Sequence, residues 1–289
     1  MSTGASEMEL PVFLIVLMAA VLHASWNAFV KMNGDRFLFM AVMMAASAVV
    51  AFASAIFLPL PAPESWPYIA TSVLLHTGYP LFLLMAYKFG DLSHVYPLAR
   101  GSAPLMVALV SVFVIGEVLS SQAMIAVMIM AFGIMSLSLT RGAQNLWNPW
   151  AVFFALGTGI FIAAYTLTDG IGARLAGNAH SYTAWMMGLE GIPFIAYVLL
   201  TRKSQALPQI GRVWKTATLM GLMSLAAYWS VIWAMTVAPI ALVAAVRETS
   251  IIFALLFGVF FLKERLSLIK FAATFMTLFG VVLLKINRN

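Results

Sequence analysis

The sequence predicts an all-α polytopic membrane protein: ten transmembrane helices in two inverted five-helix repeats. Three observations carry that reading. Apolar residues make up 63% of the 289 and charged residues 9%, whereas a soluble domain carries roughly a quarter charged residues. The apolar residues fall into ten runs of bilayer-crossing length, about 20 residues each. The chain also repeats itself. Setting Arg100 on Arg247 and reading on without a gap brings Glu117 onto Glu264, Leu119 onto Leu266, Ser120 onto Ser267, Phe132 onto Phe279 and Gly133 onto Gly280.

The first run, 11–30, carries His23, Trp26 and Asn27 on one helical face and closes at the polar stretch Lys31 to Arg36. The second, 37–59, stops at Pro61 to Glu64, and the third, 66–87, shares His76, Tyr79 and Pro80 on a face before Gly90 and Asp91. The fourth, 94–115, holds Ser93, Tyr96, Pro97, Arg100 and Pro104 at i, i+3, i+4 and i+7 spacing around its start. Its prolines each remove a backbone hydrogen bond and Gly101 eases bending between them, so Pro97, Gly101 and Pro104 form the expected hinge. The fifth run is 121–140; the sixth, 148–168, ends on Tyr165, Thr168 and Asp169. The seventh, 181–201, has Glu190 at its middle, and the basic stretch Arg202 to Lys215 separates it from the eighth, 214–236, with Tyr228, Trp229 and Trp233. The ninth, 239–262, places Arg247, Glu248, Thr249 and Ser250 in a row, and the tenth is 267–286.

The repeat divides the chain at 1–143 and 144–289, with Trp66 matching Trp214, Ala86 matching Ala234, and Trp26 falling near Tyr165. Five crossings per half reverse the second copy, giving halves related by an axis in the membrane plane. Loops on one side carry Lys31, Arg36, Lys88, Arg141, Arg202, Lys203, Arg212, Lys215, Lys263, Arg265 and Lys270; the other side has Arg174, Lys285 and Arg288. The positive-inside rule places the richer side in the cytoplasm and both termini outside. The net charge of +6 therefore sets topology in the cytoplasmic (inner) membrane and implies no nucleic-acid partner. Glu7 and Glu9 precede the first run without Lys or Arg, so the first helix is expected to be retained. No cysteine is present, which excludes disulfides and thiol catalysis.

An ionised guanidinium in hydrocarbon costs about 3 to 17 kcal/mol by different measures, and such residues mark ion or substrate paths. Arg100 and Arg247 are therefore the leading substrate-binding candidates, on opposite sides of the midplane. The bland alternative is that Arg100 snorkels to the headgroups. Tyr96, Trp26, Asn27, Tyr79, Trp229 and Trp233 are the expected cavity lining, whereas Trp66, Trp147, Trp150 and Trp214 suit interfacial anchors. Glu190 and Glu248 are candidates for proton coupling or charge balance, a structural Arg–Glu bridge being the alternative. Adjacent helical residues point about 100° apart, so Arg247 and Glu248 need not pair. The scattered histidines give no metal-site spacing, and no nucleotide loop or hydrolase elbow is present. No catalytic residue, metal or cofactor is expected.

Gly116-Glu117-Val118-Leu119 and Lys263-Glu264-Arg265-Leu266, with Gly133-Ile134 and Gly280-Val281-Val282, resemble the paired turns of EamA-type members of the drug/metabolite transporter superfamily. The stretch from Gly90 to Gly101 is similar to a subgroup some of whose members are linked with phosphonate utilisation. The resemblance implies secondary transport of small metabolites by alternating access around a central cavity. It also implies no cofactor, helix-capping roles for Glu117 and Glu264, and termini in the cytoplasm, against the charge count. The expected cargo is a small organic anion such as a phosphonate or carboxylate, with a proton as the candidate coupling ion. The state is monomer or homodimer, since two halves already supply an internal pair. A membrane-embedded enzyme acting on a lipid or isoprenoid group is the alternative.

Overall fold

A computed structural model of the chain describes residues 8–32, 35–90, 92–139, 148–202, 207–260 and 267–285. The helices are α1 (Leu10–Met32), α2 (Arg36–Ala55), α3 (Trp66–Phe89), α4 (Leu92–Val110), α5 (Ser121–Ser136), α6 (Pro149–Leu175), α7 (Ala179–Arg202), α8 (Leu207–Val237), α9 (Ile240–Arg247), α10 (Ser250–Phe260) and α11 (Leu268–Lys285). Among the described residues there is no strand, and nine helical spans are long and apolar enough to cross a membrane. The 24-residue α7 is a tenth helix of crossing length. Large apolar side chains such as Leu74, Leu81, Phe113, Phe271 and Phe275 lie exposed on the outside, a pattern suited to lipid.

Local chemistry sets the helix starts. Asp35 accepts the Leu38 amide, Ser120 that of Ala123, Asn148 that of Trp150 just before Pro149, and Asn178 those of His180 and Ser181. Each side chain satisfies an amide that the first helical turn leaves without a partner. Helix α4 continues through Pro97 and Pro104 and widens into a π-turn over Ser111–Ile115. Gly116, at φ 79°, ends it in the left-handed region that favours glycine.

The ninth run differs from its expectation as one helix over 239–262. It is broken into α9 and α10 at Glu248–Thr249, where amides reach back three residues: Thr249 to Val246, Ile251 to Glu248 and Ile252 to Thr249. The Thr249 hydroxyl also donates to the Val246 carbonyl at 2.7 Å, and such back-bonding tightens and bends a helix.

Packing partners come in matching pairs if the first five helices are exchanged for the last five. α3 lies on α6 as α1 does on α8; α2 on α8 as α7 on α3; α4 on α6 as α9 and α10 on α1. α2 with α7 and α5 with α11 pair each helix with its own counterpart. The repeat-matched glycines make the last contact possible. A Cβ at Gly133 would meet Thr277 Oγ1 at 3.1 Å, and one at Gly280 would meet the Ala126 carbonyl at 2.9 Å.

The helix ends collect at two faces. At one, Lys285 donates to Met8, Ala62 to Ala176, and Arg174 to the carbonyls of Met235 and Ala238. At the other, Asn148 donates to Phe89, and His94 contacts the Ser138 carbonyl. α1 and α6 therefore start at opposite faces, and the start of α1 and the end of α11 share one. The expected boundary between residues 143 and 144, and Glu264 with its turn, lie outside the described residues.

Candidate substrate and ion site

The break after α9 builds the centre of the site. Glu248, 1% exposed, sits in the tight turn with its carboxylate between two guanidinium groups. Arg100 Nε is 2.9 Å from Glu248 Oε2, and an Arg247 terminal nitrogen is 3.4 Å from Oε1. The shorter contact is an ion pair without hydrogen-bond alignment, so Arg100 Nε and Glu248 Oε2 both lack a hydrogen-bond partner, as does Arg247 Nε. Arg100 also approaches Ser250 Oγ at 3.5 Å and Arg247 approaches Thr166 Oγ1 at 3.4 Å. Two guanidiniums facing one carboxylate leave one net positive charge, and Arg247 Nε is a buried donor without a partner. A buried donor in that state costs about 1–3 kcal/mol, which a ligand acceptor would offset.

A cavity of about 220 Å³ opens beside this group. His23 and Asn27 from α1, Tyr96 and Pro97 from α4, Ser250 and Ile251 from α10 and Lys270 from α11 line it. It lies at the face where α5 ends and α11 begins, the face bearing most Lys and Arg. Drug-sized sites span about 300–1,000 Å³, so this one suits a smaller molecule.

A second polar cluster lies one ring further in. Tyr165 stacks on His76 with centroids 4.1 Å apart, and Arg247 lies 5.9 Å from the ring centre. His76 stands between two carboxylates: Nε2 is 3.3 Å from Asp169 Oδ2 and Nδ1 is 3.3 Å from Glu190 Oε1. Tyr182 donates to Asp169 Oδ1 at 2.9 Å and Tyr228 donates to Oδ2. Asp169 is wholly buried.

The EamA-like transporter family matches this chain over residues 149–286. The second half of the chain thus carries an EamA-type transporter match, and the described helices suit a polytopic membrane protein. Among solved structures, 29 chains match. One described as "Crystal structure of protein" aligns with TM-score 0.76 over 96% of this chain and 98% of its own, at 17% identity, a likeness of fold. No curated protein matches.

In this fold the site residues expected from sequence divide into groups. Tyr96, Asn27 and Pro97 line the cavity, and Arg100 stands behind Ser250. Arg100 and Arg247, expected on opposite sides of the midplane bracketing the cavity, instead share Glu248: each backbone enters from its own face, and the long side chains meet. Arg247 and Glu248 do pair, because the turn at 248–249 replaces the 100° helical step. Glu190 balances His76 rather than an arginine.

Of the aromatic set, Tyr79 packs on Tyr165, and Trp26 meets His23 edge-on while packing by Val30 and Phe39. Trp229 donates to His180 at 2.8 Å and packs in the cluster around Tyr182 and Ile232, and Trp233 packs against the cluster that contains α9. None of these four lines the cavity in this conformation. Gly101 is a close-packing residue, since a Cβ there would meet the Met135 amide at 2.9 Å and the Ala131 carbonyl at 3.0 Å. Glu117 does cap a helix start, that of α9 in the other half: its carboxylate accepts the Ile240 amide at 2.9 Å and pairs with Arg174 at 2.7 Å.

Sequence reasoning missed the Asp169–His76–Glu190 cluster, whose members come from α6, α3 and α7. The available signal was one polar side chain near the middle or end of each of three apolar runs.

Proposed function

We propose that this transporter carries a small organic anion of the carboxylate or phosphonate class across the cytoplasmic membrane by alternating access, without a cofactor. The observation that carries the reading is the buried Arg100–Glu248–Arg247 group, with a net charge of +1, next to the cavity that Ser250 lines. A guanidinium presents paired donors that match a carboxylate or phosphonate edge. The cavity supplies Tyr96, Asn27 and Ser250 as further polar contacts and is large enough for a molecule of metabolite size.

Two unlike halves, 1–143 and 144–289, would exchange the open face, with Pro97 and Pro104 giving α4 its freedom to bend. At the closed face, Arg174 and Glu117 tie α6 and the turn before α5 to the start of α9. Opening that face requires this tie to part.

The test is uptake and exchange by the purified chain in proteoliposomes over a panel of anions, zwitterions and cations, including methylphosphonate and lactate. The expected result is saturable exchange of anions. Arg100→Lys keeps the charge and loses the planar fork; it should insert at wild-type level and transport about tenfold or more slowly, the worth of one charge-assisted hydrogen bond of about 1.5–3 kcal/mol. Normal transport by Arg100→Lys sinks the substrate role for Arg100. A membrane enzyme is the second reading, favoured only by the buried histidine–carboxylate cluster, and chemical turnover of lipid without translocation would select it.

A further inference from the structure

We propose that Asp169, His76 and Glu190 form the proton-binding site of this transporter, taking up one proton for each monoanion carried; the coupling half of this inference rests on the anion reading above. Three observations lead to it. First, both ring nitrogens of His76 face a carboxylate oxygen at 3.3 Å, and the Tyr228 hydroxyl, 3.4 Å from Nε2, donates instead to Asp169 by a shorter bond. A neutral imidazole has one N–H and one lone pair, so two ionised carboxylates at its two nitrogens require the imidazolium, or else one carboxyl carries the proton. Either way the cluster holds a proton beyond neutral histidine and two carboxylates.

Second, the charges close. Arg100, Arg247 and Glu248 sum to one positive charge; Asp169, Glu190 and a protonated His76 sum to one negative. The resting array is neutral, as burial in a low dielectric favours. A monoanion at the arginines unbalances it by one, and one added proton restores it.

Third, the two carboxylates differ. Asp169 receives the hydroxyls of Tyr182 and Tyr228 as well as the imidazole, while the described contact of Glu190 is His76 alone. Glu190 thus has a lone pair open to the added proton, which binds a carboxylate oxygen on arrival and returns to water on release.

The other groups facing the cluster do not supply this proton. Tyr79 on α3 and Tyr165 on α6 are phenols, and Tyr165 separates His76 from Arg247 on α9. On α4, Tyr96 and Arg100 belong to the cavity side, and α2, packed on α7, has Arg36 at its end as its one ionised group.

Two measurements test the site. In the unliganded chain in lipid nanodiscs, with histidine ring nitrogens labelled with ¹⁵N and His76 assigned by its loss in His76→Gln, His76 should carry protons on both nitrogens at neutral pH. A neutral His76 with a single N–H, together with carboxyl ¹³C shifts showing both Asp169 and Glu190 ionised at neutral and mildly acid pH, overturns the proposal. In proteoliposomes with methylphosphonate monoanion or lactate as the probe, an inward proton gradient should drive electroneutral accumulation by the wild type. Glu190→Gln should keep anion exchange, lose the response to the proton gradient and become sensitive to membrane voltage. A Glu190→Gln variant that still accumulates anion on a proton gradient overturns the coupling role. If the wild type moves neither anion while His76 is an imidazolium, the anion reading fails and the proton site stands.

Discussion

Glu248 is the residue on which the buried charges depend, and its position explains why the two arginines are tolerated. A guanidinium cannot shed its proton, so removing the carboxylate strands two fixed charges inside the helix bundle. Glu248→Gln should therefore destabilise the protein by about 3–5 kcal/mol, the usual cost of breaking a buried ion pair from one side. A lowered unfolding midpoint in detergent, read by circular dichroism, checks this. Added methylphosphonate should raise the midpoint more for Glu248→Gln than for wild type, because the ligand then replaces the missing anion. Glu190→Gln offers the contrast. Its partner His76 can become neutral, so the loss there should be closer to the ~1 kcal/mol of one hydrogen bond. Equal loss from the two substitutions would contradict the distinction drawn between a fixed charge and a titratable one.

At the scale of the element, the ten runs were legible because each depends on local facts: apolar length, a capping side chain, a glycine or proline at the end. Their bounds were less so, since α8 starts at Leu207 inside the stretch Arg202 to Lys215 read as a break, and α6 runs on to Leu175. The arginines were legible too, as charges in apolar surroundings at matching positions. The break at Glu248–Thr249 was not, since it rests on a hydroxyl donating to the Val246 carbonyl within a run that is otherwise apolar. The histidine cluster was illegible for a different reason: His76 and Asp169 are 93 residues apart and meet only through helix packing. The repeat also foreshadowed a contact that its text alone could not specify. Gly133 and Gly280 align in the two halves, and in the fold they let α5 and α11 approach closely. Gly280→Ala should then cost about 1–3 kcal/mol by overpacking, as the Ala126 carbonyl is backbone and cannot turn aside. Gly211→Ala, with nothing within 4 Å, should instead stabilise α8 by about 0.5–1 kcal/mol. Thermal midpoints of the two variants moving in the same direction would show that the α5–α11 contact is looser than its geometry.

For the whole molecule, the asymmetry between the two faces defines a conformation. The cavity reaches the lysine- and arginine-rich face, while at the other face α9 is buried along its whole length and Glu117 with Arg174 closes the α8–α9 turn. By the positive-inside rule this is a state open to the cytoplasm, with both termini outside; the family resemblance places the termini inside. The absence of cysteine makes the choice measurable, because an introduced cysteine is the sole thiol in the chain. Asn27→Cys probes the cavity and Phe57→Cys the exposed turn between α2 and α3 at the opposite face. In right-side-out vesicles an impermeant maleimide should label Phe57→Cys at once. Asn27→Cys should react only when the cytoplasmic side is exposed, and more slowly once methylphosphonate or lactate occupies the cavity. The mirror-image pattern, Asn27→Cys labelled from outside and Phe57→Cys from within, would reverse the orientation and turn the same state outward. Labelling of both positions from one side only would contradict the packing that assigns them to opposite faces, and with it the inverted relation of the two halves.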